Sequence, residues 1–210
     1  MENITFEIFS GESVAIIGPN GIGKTTLLYL IAGILNPATG RIFFAQQNIS
    51  TIKYGKYSRK IGLIFQNPES QLLKNTIKKE IEFGPKNFQV SIEENGLENY
   101  TQFIFPTSKQ DPNILLKLNP FNLSWGEKRR LNLVSLFAYS PSVYLFDEPF
   151  TGQDYLVRKR LLENMKSIAE KSGSMVISSH DEEILPFCDR VFLFTSDGLT
   201  IFKKSKERKE

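Results

Sequence analysis

Three residue types are nearly absent. The 210 residues include one cysteine, one histidine and one tryptophan. A lone Cys188 excludes an internal disulfide framework, and a reducing, cytosolic setting is expected. No apolar run approaches the ~18 consecutive residues that a membrane-spanning helix needs. Met1 to Ser10 holds two Glu, no Lys or Arg and no small-residue cleavage site, so no secretory leader is expected there. Low-complexity segments and internal repeats are also missing. The remainder, 40% apolar and 23% charged, is the composition of a globular chain with enough apolar surface to bury a core.

The net charge of +3 carries little information about partners. The tail from Lys203 to Glu210 holds five basic and two acidic residues, which is the whole excess. Residues 1–202 are formally neutral, which argues against a nucleic-acid groove, so no nucleic-acid partner is expected. The tail reads as a solvated end.

Val14-Ala15-Ile16-Ile17 is a continuous apolar run. It ends in the turn cluster Gly18-Pro19-Asn20-Gly21, after which Lys24 to Leu35 reads as a helix. Further strand candidates are 41–44, 61–65, 143–146, 174–178 and 191–194. Continuous runs separated by helices predict a parallel sheet covered on both faces. The stretch from Asn67 to Trp125 is richer in Asn, Lys and Glu and reads as a mostly helical insert. A helix is expected from about Ser124 through Ala138, ended by Pro141.

Gly18-Pro19-Asn20-Gly21-Ile22-Gly23-Lys24-Thr25 fits the pattern G-x-x-x-x-G-K-[ST] at every fixed position. The glycines let backbone N–H groups approach phosphate oxygens, and the following helix offers its positive end to the same anion. Lys24 is placed to reach the outer phosphates and Thr25 to ligate Mg2+. A Gly-rich turn that happens to precede a helix is the bland alternative, and the order strand, loop, helix argues against it. Downstream, 143–146 is an apolar run ending in Asp147-Glu148. An Asp at such a strand end holds Mg2+ in phosphate-loop NTPases, and an adjacent Glu can position or deprotonate the attacking water.

At this point the chain resembles the nucleotide-binding subunit of ATP-binding-cassette (ABC) transporters, over nearly its whole length. Phe65-Gln66-Asn67-Pro68 is similar to the family's Q-loop, Leu123-Ser124-Trp125-Gly126-Glu127 to its LSGGQ signature, Phe150-Thr151-Gly152-Gln153-Asp154 to its D-loop, and Ser178-Ser179-His180-Asp181 to its switch-histidine loop. The resemblance implies an α/β fold: a phosphate-loop NTPase core (1–66 and 126–202) with a mostly parallel sheet, a helical signature subdomain (67–125) and a basic tail (203–210). It implies an ATPase with ATP and Mg2+ as cofactors. Catalysis would fall to Glu148, His180 and Gln66, metal binding to Thr25, Gln66 and Asp147. Nucleotide binding would fall to residues 18–25, Thr26, Ser124 and Gly126. The signature loop would dock on ATP held by a second ABC subunit, with Asp154 bridging the two sites.

Residues 65–72, Thr76-Ile77 and Glu80-Ile81-Glu82-Phe83-Gly84-Pro85 narrow the resemblance to the energy-coupling-factor (ECF) and cobalt-importer ATPases. That implies import of a vitamin or metal ion through an integral membrane transporter subunit, from the cytoplasmic face of the membrane. A non-transport ABC protein and a regulatory subunit with weak hydrolysis stay open as alternatives.

The sequence departs from the family pattern in three places. Trp125 replaces the first Gly of the signature, which favours a heterodimer over a homodimer, and Glu127 replaces its Gln, a milder change. Met1 lies close to Gly18, and Asn3 to Ile8 resembles a strand that the family places after an adenine-stacking aromatic. Either the start is truncated or adenine is held loosely, with Phe6 and Phe9 read as core. Lastly, the chain stops soon after Phe194, without the longer C-terminal segment common in ECF-type ATPases.

Overall fold

A computed structural model describes residues 4–93, 96–150, 155–196 and 198–204. Two compact units divide the chain. One comprises Met1–Leu63 and Ser142–Glu210, the other Ile64–Pro141.

The first unit is built on a six-stranded sheet. Its strands are β1 (Ser13–Ile17), β4 (Ile61–Ile64, whose last residue opens the second unit), β5 (Val143–Asp147), β6 (Ser174–Ser179), β7 (Arg190–Thr195) and β8 (Gly198–Lys204), in the spatial order β4-β5-β6-β1-β7-β8. β1 runs parallel to both β6 and β7, and β5 parallel to β6, while β7 and β8 are antiparallel. Val14, Ala15 and Ile16 are fully buried, which explains why β1 reads as an unbroken apolar run rather than an alternating one. Helices α1 (Lys24–Ile31), α2 (Tyr54–Ser58) and α8 (Tyr155–Ser172) accompany the sheet. Leu27 and Leu28 of α1 pack with Ile16, Leu145, Val176 and Phe194 in one core cluster. Burial of side chains of this size contributes roughly 1.5–3 kcal/mol each.

Helix α1 stops short of the expected Leu35. Gly33 adopts φ 70°, Ile34 N–H donates to Tyr29 O at 2.9 Å, and Ile34 and Leu35 lie exposed beyond the turn. The expected strand at 41–44 is reduced to a hairpin of β2 (Phe43–Phe44) and β3 (Gln47–Asn48), turned by Ala45 and Gln46 at positive φ. Residues 4–8, expected to form a strand, adopt no regular structure. Phe6 packs on Phe192 with ring centroids 5.4 Å apart, as a core residue should. Phe9 corrects the expectation. It is 58% exposed and lies under the Arg190 guanidinium, 5.0 Å from its ring centre.

The second unit holds α3 (Ile77–Ile81), α4 (Phe83–Phe88), α5 (Gly96–Ile104), α6 (Pro112–Leu115) and α7 (Trp125–Phe137). Ile77, Ile81, Ile104, Leu116, Leu123, Leu131 and Val134 form its core. The domain boundaries therefore differ from those read in the sequence. Residues 126–141 belong with the helical unit, because Leu131, Val134 and Ala138 of this segment fill that core. Lys203 and Lys204 likewise belong to β8, opposite Val191 and Arg190, and not to a free tail.

Candidate active site

Parallel register brings three chain segments level. Asp147 stands opposite Ser178 across β5 and β6, and Ile17 stands opposite Ser179 across β1 and β6. The phosphate loop, the Asp147-Glu148 pair and the Ser178-Ser179-His180 segment therefore leave the carboxyl ends of three adjacent strands. That edge is where open α/β sheets bind ligands.

The loop's glycines answer to geometry. A Cβ on Gly18 would lie 2.6 Å from the backbone oxygen of Phe194. Gly23 caps α1 at φ 113°, a conformation that L side chains rarely adopt. No side chain caps α1 and no acidic residue sits in its first turn, so its leading N–H groups face the loop uncompensated. Lys24 is buried and folds back over the loop, donating to Gly18 O at 2.7 Å and Pro19 O at 3.2 Å. Pro19, Asn20 and Gly21 form the exposed or half-buried crest with Ile22, and Thr26 lies exposed on α1.

Buried Asp147 accepts from the Thr25 hydroxyl at 2.8 Å and from the Ser178 hydroxyl at 2.6 Å. A hydroxyl and a carboxylate this close form a hard oxygen donor set suited to Mg2+, which takes one or two protein ligands and completes its shell with phosphate oxygens and water. The same carboxylate charge adds to burial in pushing the Tyr29 phenol above its ordinary pKa.

Glu148 follows at φ 45°, a left-handed conformation uncommon for a residue with a side chain. Its N–H donates to Ser178 O at 3.1 Å, which locks the turn. The carboxylate lies 3.4 Å from Lys24 Nζ, and both of its oxygens lie 3.0 Å from His180 Nδ1. The Ser179 hydroxyl donates to it at 3.4 Å. His180 is half exposed, so a buried carboxylate is coupled to a solvent-facing imidazole. Arg158 pairs with both Asp181 and Glu183 and fixes the chain just beyond the histidine.

A model of the ABC transporter family matches residues 1–151. The chain belongs to this family. The energy-coupling factor transporter ATP-binding protein EcfA2 of Clostridium perfringens is 34% identical over 211 residues, which span 99% of this chain and 73% of the relative. A solved structure described as the ATP-binding subunit of an ABC transporter superposes with a TM-score of 0.77 at 27% identity, covering 92% of this chain and 78% of the other. CbiO1 from Clostridium perfringens, part of the CbiONQ transporter complex, gives 0.75 at 28% identity over 95% and 80%. The ABC protein is thus an ATP-binding cassette ATPase with the phosphate-loop NTPase fold. None of its described helices is long and apolar enough to cross a membrane.

The remaining predicted site residues belong to the helical unit of the ABC chain. Ser124 caps α7, and its hydroxyl donates to the Glu127 carboxylate at 2.6 Å while its N–H donates to the same oxygen at 2.8 Å. Glu127 N–H returns a bond to Ser124 Oγ, which closes a capping box. Trp125 is exposed at the first helical position and Gly126 follows it. Exposed Gln66 sits past the end of β4, and its backbone oxygen is held by Arg129 at 2.6 Å. Asp154 lies outside the described residues.

Sequence reasoning missed Ser178 as the second hydroxyl on Asp147, and it missed Lys128, Arg129 and Asn132. The run Lys128-Arg129-Arg130 gave no signal of this, because charge on a helix ordinarily reads as a solvated face, whereas Lys128 and Arg129 are buried.

Proposed function

We propose that this chain is the ATP-hydrolysing subunit of an ECF-type importer for a vitamin or metal ion. On this reading it is peripheral to the cytoplasmic face of the membrane and acts as one half of an ATPase dimer. The convergence of Lys24, Thr25, Asp147, Glu148 and His180 on one edge of the sheet carries the hydrolysis part of this reading, and the likeness to the EcfA2 relative supports the importer part. Lys24 exchanges its carbonyl partners for the β- and γ-phosphates of ATP. The uncapped start of α1 takes the phosphate charge, and residues 18–23, Thr25 and Thr26 line the nucleotide. Thr25 and Asp147, with Gln66 contributing, would hold Mg2+, which would supply neutralisation of phosphate charge. Glu148 orients the attacking water and accepts its proton, and His180 holds Glu148 and senses the γ-phosphate.

The signature pair Ser124 and Gly126 would serve ATP bound to a second subunit. The Ser124 hydroxyl is already given to Glu127, which supports a heterodimer in which this half of the interface is the weaker donor. A membrane subunit completes the machine and selects the cargo. Co-purification from native membranes tests the assembly. Recovery of a second ATPase and an integral membrane subunit is expected, and a chain purified with ribosomes or repair proteins would defeat the transport reading. In the recovered complex, Glu148→Gln is expected to lower turnover by about 10²–10⁴-fold with ATP binding retained. Wild-type turnover in that variant would remove Glu148 from the chemistry.

A further inference from the structure

Helix α7 begins at the signature serine, and one face of its first two turns grips the Q-loop. Arg129 is fully buried and donates from Nη1 to Phe65 O at 3.0 Å and from Nη2 to Gln66 O at 2.6 Å. Lys128 pairs with Glu69 at 2.6 Å, and the Asn132 side-chain amide donates to Pro68 O at 2.9 Å. Positions 128, 129 and 132 lie on neighbouring rows of one helix side. The loop is also closed on itself. Asn67 Oδ1 accepts from Glu69 N–H at 2.9 Å, and Gln71 Oε1 accepts from Phe65 N–H at 3.3 Å.

We propose that Arg129 is a positioning residue that fastens the Q-loop to the signature helix, so that Gln66 and Ser124 move as one body. A guanidinium buried in this way is expensive unless its donors are met. Its planar fork spans two successive carbonyls, which a lysine ammonium on a flexible stem cannot do. Apolar packing could rigidify the loop without that cost, but it would not fix the peptide plane that carries Gln66. Arg129 touches no phosphate in this scheme. It sets the backbone from which Gln66 reaches the nucleotide, so the proposal rests on the role given to Gln66 above.

Two measurements on the full chain test it. Hydrogen exchange of amides 65–71 in Arg129→Lys is expected to accelerate by about tenfold, with α7 amides beyond its first two turns unchanged. In the complex recovered from membranes, Gln66→Ala and Arg129→Lys are each expected to lower kcat by about tenfold or more, with the KM for ATP moving less than about threefold. The double variant is expected to lose no more than Gln66→Ala alone, because residues acting as a unit are non-additive. Unchanged exchange, or losses that multiply in the double variant, would overturn the proposal. Full turnover in Gln66→Ala would defeat the role of Gln66 instead, and the exchange result then decides Arg129 by itself. Should Arg129→Lys fail to fold, Arg129→Gln, which keeps one donor pair without the planar fork, takes its place, and unchanged exchange of the same amides there would equally overturn the proposal.

Discussion

The two helix N-termini that carry phosphate motifs are built in opposite ways. Helix α1 starts at Gly23 with no side-chain cap and no acid in its first turn, and its first residue is a lysine. Helix α7 starts at Ser124 inside a complete capping box, with the Glu127 carboxylate bonded to both donors of the serine. A cap is worth about 1 kcal/mol, so α1 forgoes stability that α7 keeps. On the proposed reading, the N–H groups left uncompensated on α1 take the phosphate, while the serine that opens α7 already faces a carboxylate of the same charge as the ligand.

The largest effect is expected when α1 is given the carboxylate that α7 has. Gly23→Asp places a carboxylate at the open end, at a φ of 113° that strains any side chain, and Gly23→Ala carries the same strain without the charge as its control. ATP affinity, read by titration calorimetry, is expected to fall about 30-fold or more, equivalent to the loss of one charge-assisted hydrogen bond of ~2 kcal/mol. Unchanged affinity would mean that the start of α1 is not the phosphate site. The reverse change is milder. Glu127→Ala removes the box from α7, and a loss of about 1 kcal/mol is expected, or ~2–4 °C in Tm for a chain of this size. ATP binding to the isolated chain is expected to stay as it was, since Glu127 serves only its own helix there. A fall in affinity without a fall in Tm would reverse the roles assigned to the two termini.

These contrasts were unevenly legible in the sequence. The phosphate loop, Asp147, Glu148 and His180 could be read directly, because each sits in a contiguous stretch whose strand, turn and side-chain chemistry are local. Ser178 could be quoted but not given a task. Its hydroxyl reaches Asp147 only through the register of β5 on β6, which no local pattern encodes. Arg129 was illegible for a different reason. Charge on a helix ordinarily marks a solvated face, and here the cation points inward to two carbonyls. Phe9 misled in the other direction, since an aromatic near a strand reads as core until Arg190 is seen covering its exposed ring. The end of β8 was hidden by Lys203 and Lys204, whose charges suggested a free tail although their backbone pairs with β7.

A helix left open at one end benefits from being held at the other, and α1 is held. The Tyr57 hydroxyl donates to Ile31 O at 2.6 Å in the last turn of α1, and its ring lies against Gly33 and, edge-on, Phe44. Burial pushes the Tyr57 phenol up to about 12 from its ordinary 10.0. The folded pKa is raised, so the unfolded chain ionises first as pH climbs. The stability this group supplies is then complete below the unfolded value of 10.0 and lost as pH rises toward about 12. Tyr57→Phe keeps the ring and removes only the hydroxyl, so a loss of about 1 kcal/mol is expected at neutral pH. Denaturant titrations across alkaline pH provide the check. The variant's stability is expected to fall less steeply than the parent's between pH 10.0 and about 12. If the two profiles stay parallel, α1 does not depend on Tyr57 to hold the end opposite its open terminus.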